Sequence, residues 1–210
     1  KTDEEARNYK VDQSFVNQMI NASALDNGLH AGDLKFVDLD GNNKIEQTTS
    51  ANDRKDMKVI GNSLPRYNYN LGISADWYGI DFSVLFQGIG KQNWYPGAET
   101  SMFWGPYSRP YASFIPSDFM SQVWSEENSN AYFPRPRGYV ALGSNRELAV
   151  VNTKYLQNLA YCRLKNLSIG YTLPDKWLSK IGFEKIRVYF SGENLLTFTK
   201  LHSDYIDPEQ

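Results

Sequence analysis

From Tyr67 the chain alternates: Tyr67, Tyr69, Leu71, Ile73, Ala75 and Trp77 fall on one side, and Asn68, Asn70, Gly72, Ser74 and Asp76 on the other. A period of two sustained this long predicts a β-strand with one apolar face. Tyr78-Gly79 is a tight-turn signal, after which Ile80, Phe82, Val84 and Phe86 alternate with Asp81, Ser83, Leu85 and Gln87. The two runs read as an antiparallel hairpin over residues 67–87, closed by a two-residue type I′ or II′ turn. The pattern returns later, with Leu167, Ile169, Tyr171 and Leu173 against Asn166, Ser168, Gly170 and Thr172, and Pro174 ends that strand. Asp175 to Gly182 reads as a helical turn closed by glycine. Ile186, Val188 and Phe190 then alternate with Arg187, Tyr189 and Ser191, so a second hairpin is expected within residues 153–198.

The stretches between are of another kind. In residues 1–66 the apolar positions are scattered. Phe15, Met19 and Ile20 sit at helical spacing and permit one short amphipathic helix, broken by Gly28 and Gly32. Residues 88–152 carry Trp94, Tyr95, Trp104, Tyr107, Tyr111, Phe114, Phe119, Trp124, Tyr132 and Phe133, punctuated by prolines. Proline at that density forbids a central strand or a long helix. The aromatics predict a loop packed on itself, since disordered segments are aromatic-poor. The tail Leu195–Gln210 reads as turn-like. Short turns thus alternate with long connections, as in outer-membrane barrels, whose periplasmic turns are short and outer loops long. A soluble sandwich has no reason to segregate loop lengths this way.

Composition changes the picture in few places. The net charge of -2 over 210 residues implies no basic face, which argues against a nucleic-acid partner. The mean hydropathy of -0.54 and the lack of a long apolar run exclude a membrane helix, but not a barrel, whose alternating strands average out as polar. The 14 Tyr, 11 Phe and 5 Trp suit interfacial girdles and sugar-stacking surfaces alike. Cys162 is the only cysteine, so no intrachain disulfide is available. The polar opening from Lys1 to Lys10 is no signal peptide, so the chain is expected to begin inside a longer protein or to have lost its leader.

Five blocks also resemble, in order, a known family. Gly32 to Gly41 followed by Lys44-Ile45, Val59 to Pro65, Phe82 to Gly90, Arg163 to Pro174, and Arg187 to Thr197 are similar to segments of TonB-dependent outer-membrane transporters of the SusC/RagA type. The resemblance implies an all-β fold: antiparallel strands forming the C-terminal part of a large, 22-stranded barrel, with long extracellular loops carrying short helices. Residues 1–66 would be an extracellular loop region, 67–87 a barrel hairpin, 88–152 a long aromatic extracellular loop, 153–198 a second barrel hairpin, and 199–210 the start of the last outer loop. Plug and final strand would be missing. It further implies residence in the outer membrane of a Gram-negative bacterium, against lipid, and import of oligosaccharides or peptides. The implied partners are a SusD-like surface lipoprotein lid and TonB, the latter through the missing N-terminal part.

The chemistry-bearing residues are few. Asp38, Asp40 and Asn42 have the alternate spacing of a calcium loop, with Lys44 at the backbone-carbonyl position and Ile45 as apolar anchor. Asn43 stands where such a loop places glycine, and the closing acid is Asp53, displaced by an insertion, or Glu46. No cofactor is otherwise required. Trp94, Tyr95, Trp104, Tyr107 and Trp124 are candidate contacts to substrate or lid, set against the simpler reading that they glue the loop to itself. His30 and His202 lack neighbours at ligand spacing, and Cys162 has no partner for redox or nucleophilic work. Glu126-Glu127 and the Asp207/Glu209 pair read as loop charge, not an acid–base dyad on rigid strands, so no enzyme is expected. The rival fold is a secreted β-sandwich glycan-binding module, which would bury a second apolar face.

Overall fold

The computed structural model describes residues 1–16, 28–109, 115–136, 138–144, 146–180 and 182–209. The chain forms two compact units, Lys1–Ile60 with Tyr95–Leu156, and Gly61–Trp94 with Gln157–Gln210.

The first unit contains α1 (Asp3–Asn8), whose N-terminus is capped by the Thr2 hydroxyl accepting from the Glu5 N–H. Ser14–Val16 is a single 3-10 turn. The amphipathic helix expected through Met19 and Ile20 lies outside the described residues, as do Tyr111 and Phe114. The loop's core is aromatic: Phe103, Trp104, Tyr107, Phe119, Phe133 and Tyr155 are all buried. Phe119 stacks on Phe133 at 4.7 Å between ring centroids, and Phe103 meets Trp104 edge-on at 4.9 Å. Two chain segments far apart in sequence close this unit. Gly32, at φ +81°, lies beneath Trp124, where a Cβ would come within 2.5 Å of the indole. Its neighbour Asp33 pairs with Arg135.

The second unit is built on an antiparallel sheet in the order β1-β2-β5-β6. Its strands are β1 (Arg66–Trp77), β2 (Ile80–Lys91), β5 (Tyr161–Thr172) and β6 (Arg187–Thr199). The two-residue β3 (Asn93–Trp94) and β4 (Gln157–Asn158) pair separately. The first hairpin forms as the alternation requires, with Trp77 opposite Ile80. Tyr78 and Gly79 both take positive φ, 47° and 86°, as a type I′ turn demands. A Cβ at Gly79 would also meet the Thr172 carbonyl oxygen at 2.8 Å. Gly79→Ala is therefore expected to cost about 1–2 kcal/mol, read as a lower unfolding midpoint of the intact protein.

Directly opposed residues share a face, and the register sorts the sheet into two. Trp77, Ile80, Tyr171 and Val188 form one row; Ala75, Phe82, Ile169 and Phe190 the next; Ile73, Val84, Leu167 and Gly192 a third. The other face carries the rows Asp76, Asp81, Gly170, Tyr189 and Ser74, Ser83, Ser168, Ser191. One face is apolar across every strand and the other polar. Most of the apolar face stays open: Ile73 is 50%, Ile169 43% and Phe190 59% exposed, while Val84 on the inner strand β2 is buried.

Three strand limits differ from the sequence reading. β2 continues past Gln87 to Lys91 because Gly88 and Ile89 keep partners on both sides. β6 runs to Thr199, so residues 195–199 of the tail expected to be turn-like are strand, held by pairing of Leu196 to Thr199 with Leu164 to Tyr161. β5 starts at Tyr161, and its pairing shifts across Lys165, so that Leu164 faces Phe86 while Leu167 faces Val84. Such a bulge inserts one residue and restores the apolar side after a break in alternation. On the other flank β6 answers with Asn194 at φ 53°.

Candidate functional site

Three places carry polar or aromatic chemistry. The first is the polar face of the sheet. Arg187 donates from Nε to the Asp81 carboxylate at 2.8 Å, reaching across β5. It passes over Gly170, where a Cβ would lie 2.5 Å from both groups, so the glycine is the gap through which the pair forms. Farther along, Arg163 is buried and donates to Thr197 Oγ1 at 2.9 Å and to both Asp207 oxygens at 2.7 and 3.2 Å. Glu209 joins through Arg163 and Lys165, at 3.1 and 2.8 Å. With Leu201 and Ile206 buried, this clasp straps the tail down; the guanidinium holds the Asp207 carboxyl below the usual carboxylate range. Asp207 and Glu209 therefore work structurally.

The second is the acidic loop. Carboxylate oxygens of Asp38, Asp40 and Asp56 lie within 4.8 Å of one another, and theirs is the one such group of metal-ligating side chains among the described residues. Asp38 accepts from the N–H groups of Gly41 and Asn43, both at 2.7 Å. Asp56 accepts from Leu39 and Glu46 at 2.6 and 2.7 Å. Desolvation pulls the Asp38 carboxyl up, but the N–H groups of Asn43, Gly41 and Asn42 outweigh it and hold it low. Asn42 instead accepts from the Lys44 N–H and donates to Asp40. Glu46 pairs with Lys44 and Lys55, and Asp53 with Lys55, so neither joins the cluster. Asp56 takes the place expected of Asp53. It stands far beyond the span of a calcium loop of about twelve residues, and no spacing rule points to it.

The third is the aromatic loop. Trp104 and Tyr107 are wholly buried, with Trp104 Nε1 donating to the Gly97 carbonyl at 3.0 Å and Tyr107 to that of Pro134 at 2.7 Å. As placed, they offer no surface to a partner; the glue reading describes them. Tyr95 is half-buried, its hydroxyl 2.8 Å from the Leu148 carbonyl, and burial raises its pKa. Trp94 and Trp124 are likewise half-buried. His30 sits 3.5 Å from Asp3, while the His202 N–H bonds to Gln157; the two histidines are in different units. Cys162 is a free, half-buried thiol.

No protein-family model matches the chain. The chain is 34% identical over 176 residues to TonB-dependent receptor P3 of Formosa agariphila, covering 83% of this chain and 15% of that protein. It is 27% identical over 192 residues to TonB-dependent receptor P26 of the same organism, covering 90% of this chain and 17% of the relative. The chain thus spans about one sixth of the length of the curated relatives it matches. Among solved structures, the RagAB peptide transporter superposes with a TM-score of 0.50 at 22% identity, over 77% of this chain and 16% of that one. At that identity the likeness concerns the fold.

Proposed function

The chain belongs among the TonB-dependent receptors and spans about one sixth of their length, and we propose that the sheet is an arc of a closed barrel in a Gram-negative outer membrane, near the C-terminus of a nutrient importer. The observation that carries this is the two-sided sheet. Its apolar rows are largely exposed, its polar rows line the opposite side, and its edge strands β1 and β6 are long. Long bare edges pair readily with other strands, and a barrel removes them. A soluble sandwich would bury the apolar rows against a second sheet, whereas the second sheet of this unit has strands of two residues.

In this reading the full-length protein imports oligosaccharides or peptides, coupled to TonB through its other parts and capped by a SusD-like lipoprotein. Support for the import class comes from relatives named as TonB-dependent receptors and from a fold shared with a RagAB peptide transporter. The test is uptake of labelled oligosaccharides and labelled peptides by cells with and without the full-length gene. Loss of one class on deletion is expected; unchanged uptake of both would contradict the reading.

The acidic loop enters the same proposal as a site for calcium. Oxygens this close can share one hard cation at about 2.4 Å from each, with Asp38, Asp40 and Asp56 as donors. Calorimetry on the full-length protein is expected to show binding in the range of about 0.1–1 mM, abolished by Asp56→Asn and unaffected by Asp53→Asn. A flat trace would leave only a hydrogen-bonded turn.

A further inference from the structure

The end of the sheet where its two short turns lie has a composition the barrel reading does not use. Trp77 opposes Ile80, Ile80 opposes Tyr171 and Tyr171 opposes Val188, so both turns sit at one end. Their backbones interlock: Thr172 donates to the Gly79 carbonyl at 2.7 Å, and Leu173 to that of Ile186 at 2.9 Å. In the second turn α2 (Asp175–Leu178) buries Leu178 to 2% exposure, which leaves the adjacent Trp177 60% exposed. Phe183 is exposed too, as are Trp77 and Tyr78, which pack edge to face at 5.2 Å. Lys176, Lys180 and Lys185 are exposed and form no ion pair among the described residues, while Arg187 is already neutralised by Asp81. Against Asp175 and Glu184, the three lysines leave the turn one positive charge in excess.

Exposed indole and phenyl rings here stand in the same short turn as three lysines free of ion pairs among the described residues. They suit a boundary where hydrocarbon meets phosphate, since the rings lie at headgroup depth and lysine stems reach past them to charge. We propose that the turn between β5 and β6 is a foot that binds anionic phospholipid headgroups, with Trp177 and Phe183 inserted and Lys176, Lys180 and Lys185 on the phosphates. The occupant is a lipid because the turn continues directly from the end of the apolar face, and because its charge complements phosphate. The proposal rests on that face lying against lipid.

The test uses the full-length protein in vesicles of phosphatidylcholine with or without phosphatidylglycerol. An environment-sensitive fluorophore is placed at position 183 or at position 169. Nitroxide on the phosphatidylglycerol headgroup should quench position 183 roughly fivefold more than nitroxide on phosphatidylcholine, in line with one net charge at an anionic surface. The excess should vanish in the Lys176→Gln, Lys180→Gln, Lys185→Gln variant. Acyl-chain nitroxide should quench position 169 in both proteins. Equal headgroup quenching by the two lipids, or an excess that survives the triple substitution, overturns the foot while position 169 still reports lipid. Loss of acyl-chain quenching at position 169 removes the lipid-facing reading itself, and the foot with it.

Discussion

Replacing Ile169 with arginine is expected to destabilise the full-length protein in bilayers by about 1–3 kcal/mol, between the cost of a guanidinium at the midplane of a barrel's lipid face and at its rim. Ile169 stands in the row Ala75, Phe82, Ile169, Phe190, inside the apolar face and away from both edges of the sheet. It is 43% exposed, so a large part of the side chain is left to the medium outside, which then sets the cost. Val188→Arg supplies the contrast. Val188 sits in the row nearest the turns, where an arginine can reach the headgroups and the cost falls to about 0–1 kcal/mol. Urea titration of both variants in vesicles reads the difference. Equal costs at the two positions would remove the depth dependence that a bilayer imposes.

The second large effect belongs to the aromatic loop. Trp104→Ala is expected to cost about 3–5 kcal/mol, the usual penalty for emptying a buried aromatic site. Trp104 is fully buried, touches Phe103, Phe133 and Tyr155, and satisfies a carbonyl of the preceding chain through its indole N–H. Faster amide exchange and protease cutting across residues 95–156 would show the loss. Met120→Ala, at an exposed position of the same loop, should change stability by less than about 0.5 kcal/mol. If Trp104→Ala left the fold intact and impaired uptake alone, the ring would be part of the transport path and not of the core.

Much of the sheet was legible because alternation is a local signal. Tyr67 to Phe86 announces both its strands and its turn, and Asp175 to Gly182 its helical turn, through neighbours in sequence. The bulge at Lys165 was not legible in the same way: two polar residues in succession, Lys165-Asn166, look like a strand end until the register of β2 shows Leu164 on the apolar face. The Thr2–Glu5 cap is a local signal of the same kind, a threonine just ahead of three acidic residues. Long-range pairs were out of reach. Nothing in spacing joins Gly32 to Trp124, Arg163 to Asp207, or Asp56 to Asp38, because each pair is brought together by folds of intervening chain. The burial of Trp104 and Tyr107 has the same origin, since an aromatic that glues and an aromatic that binds look alike in one dimension.

The central claim is that the apolar rows face lipid and the polar rows face away from it. Neighbours on one strand, Ile169 and Ser168, separate these faces within a single residue step. Spin labels at each position in the full-length protein in bilayers, probed with oxygen as the lipid-soluble relaxant and a nickel chelate as the aqueous one, measure the two directly. The account predicts that the label at 169 is reached by oxygen and shielded from nickel, and that the label at 168 is not reached through lipid. A label at 169 shielded from both would mean that the apolar rows are buried in a protein core, and would contradict the barrel.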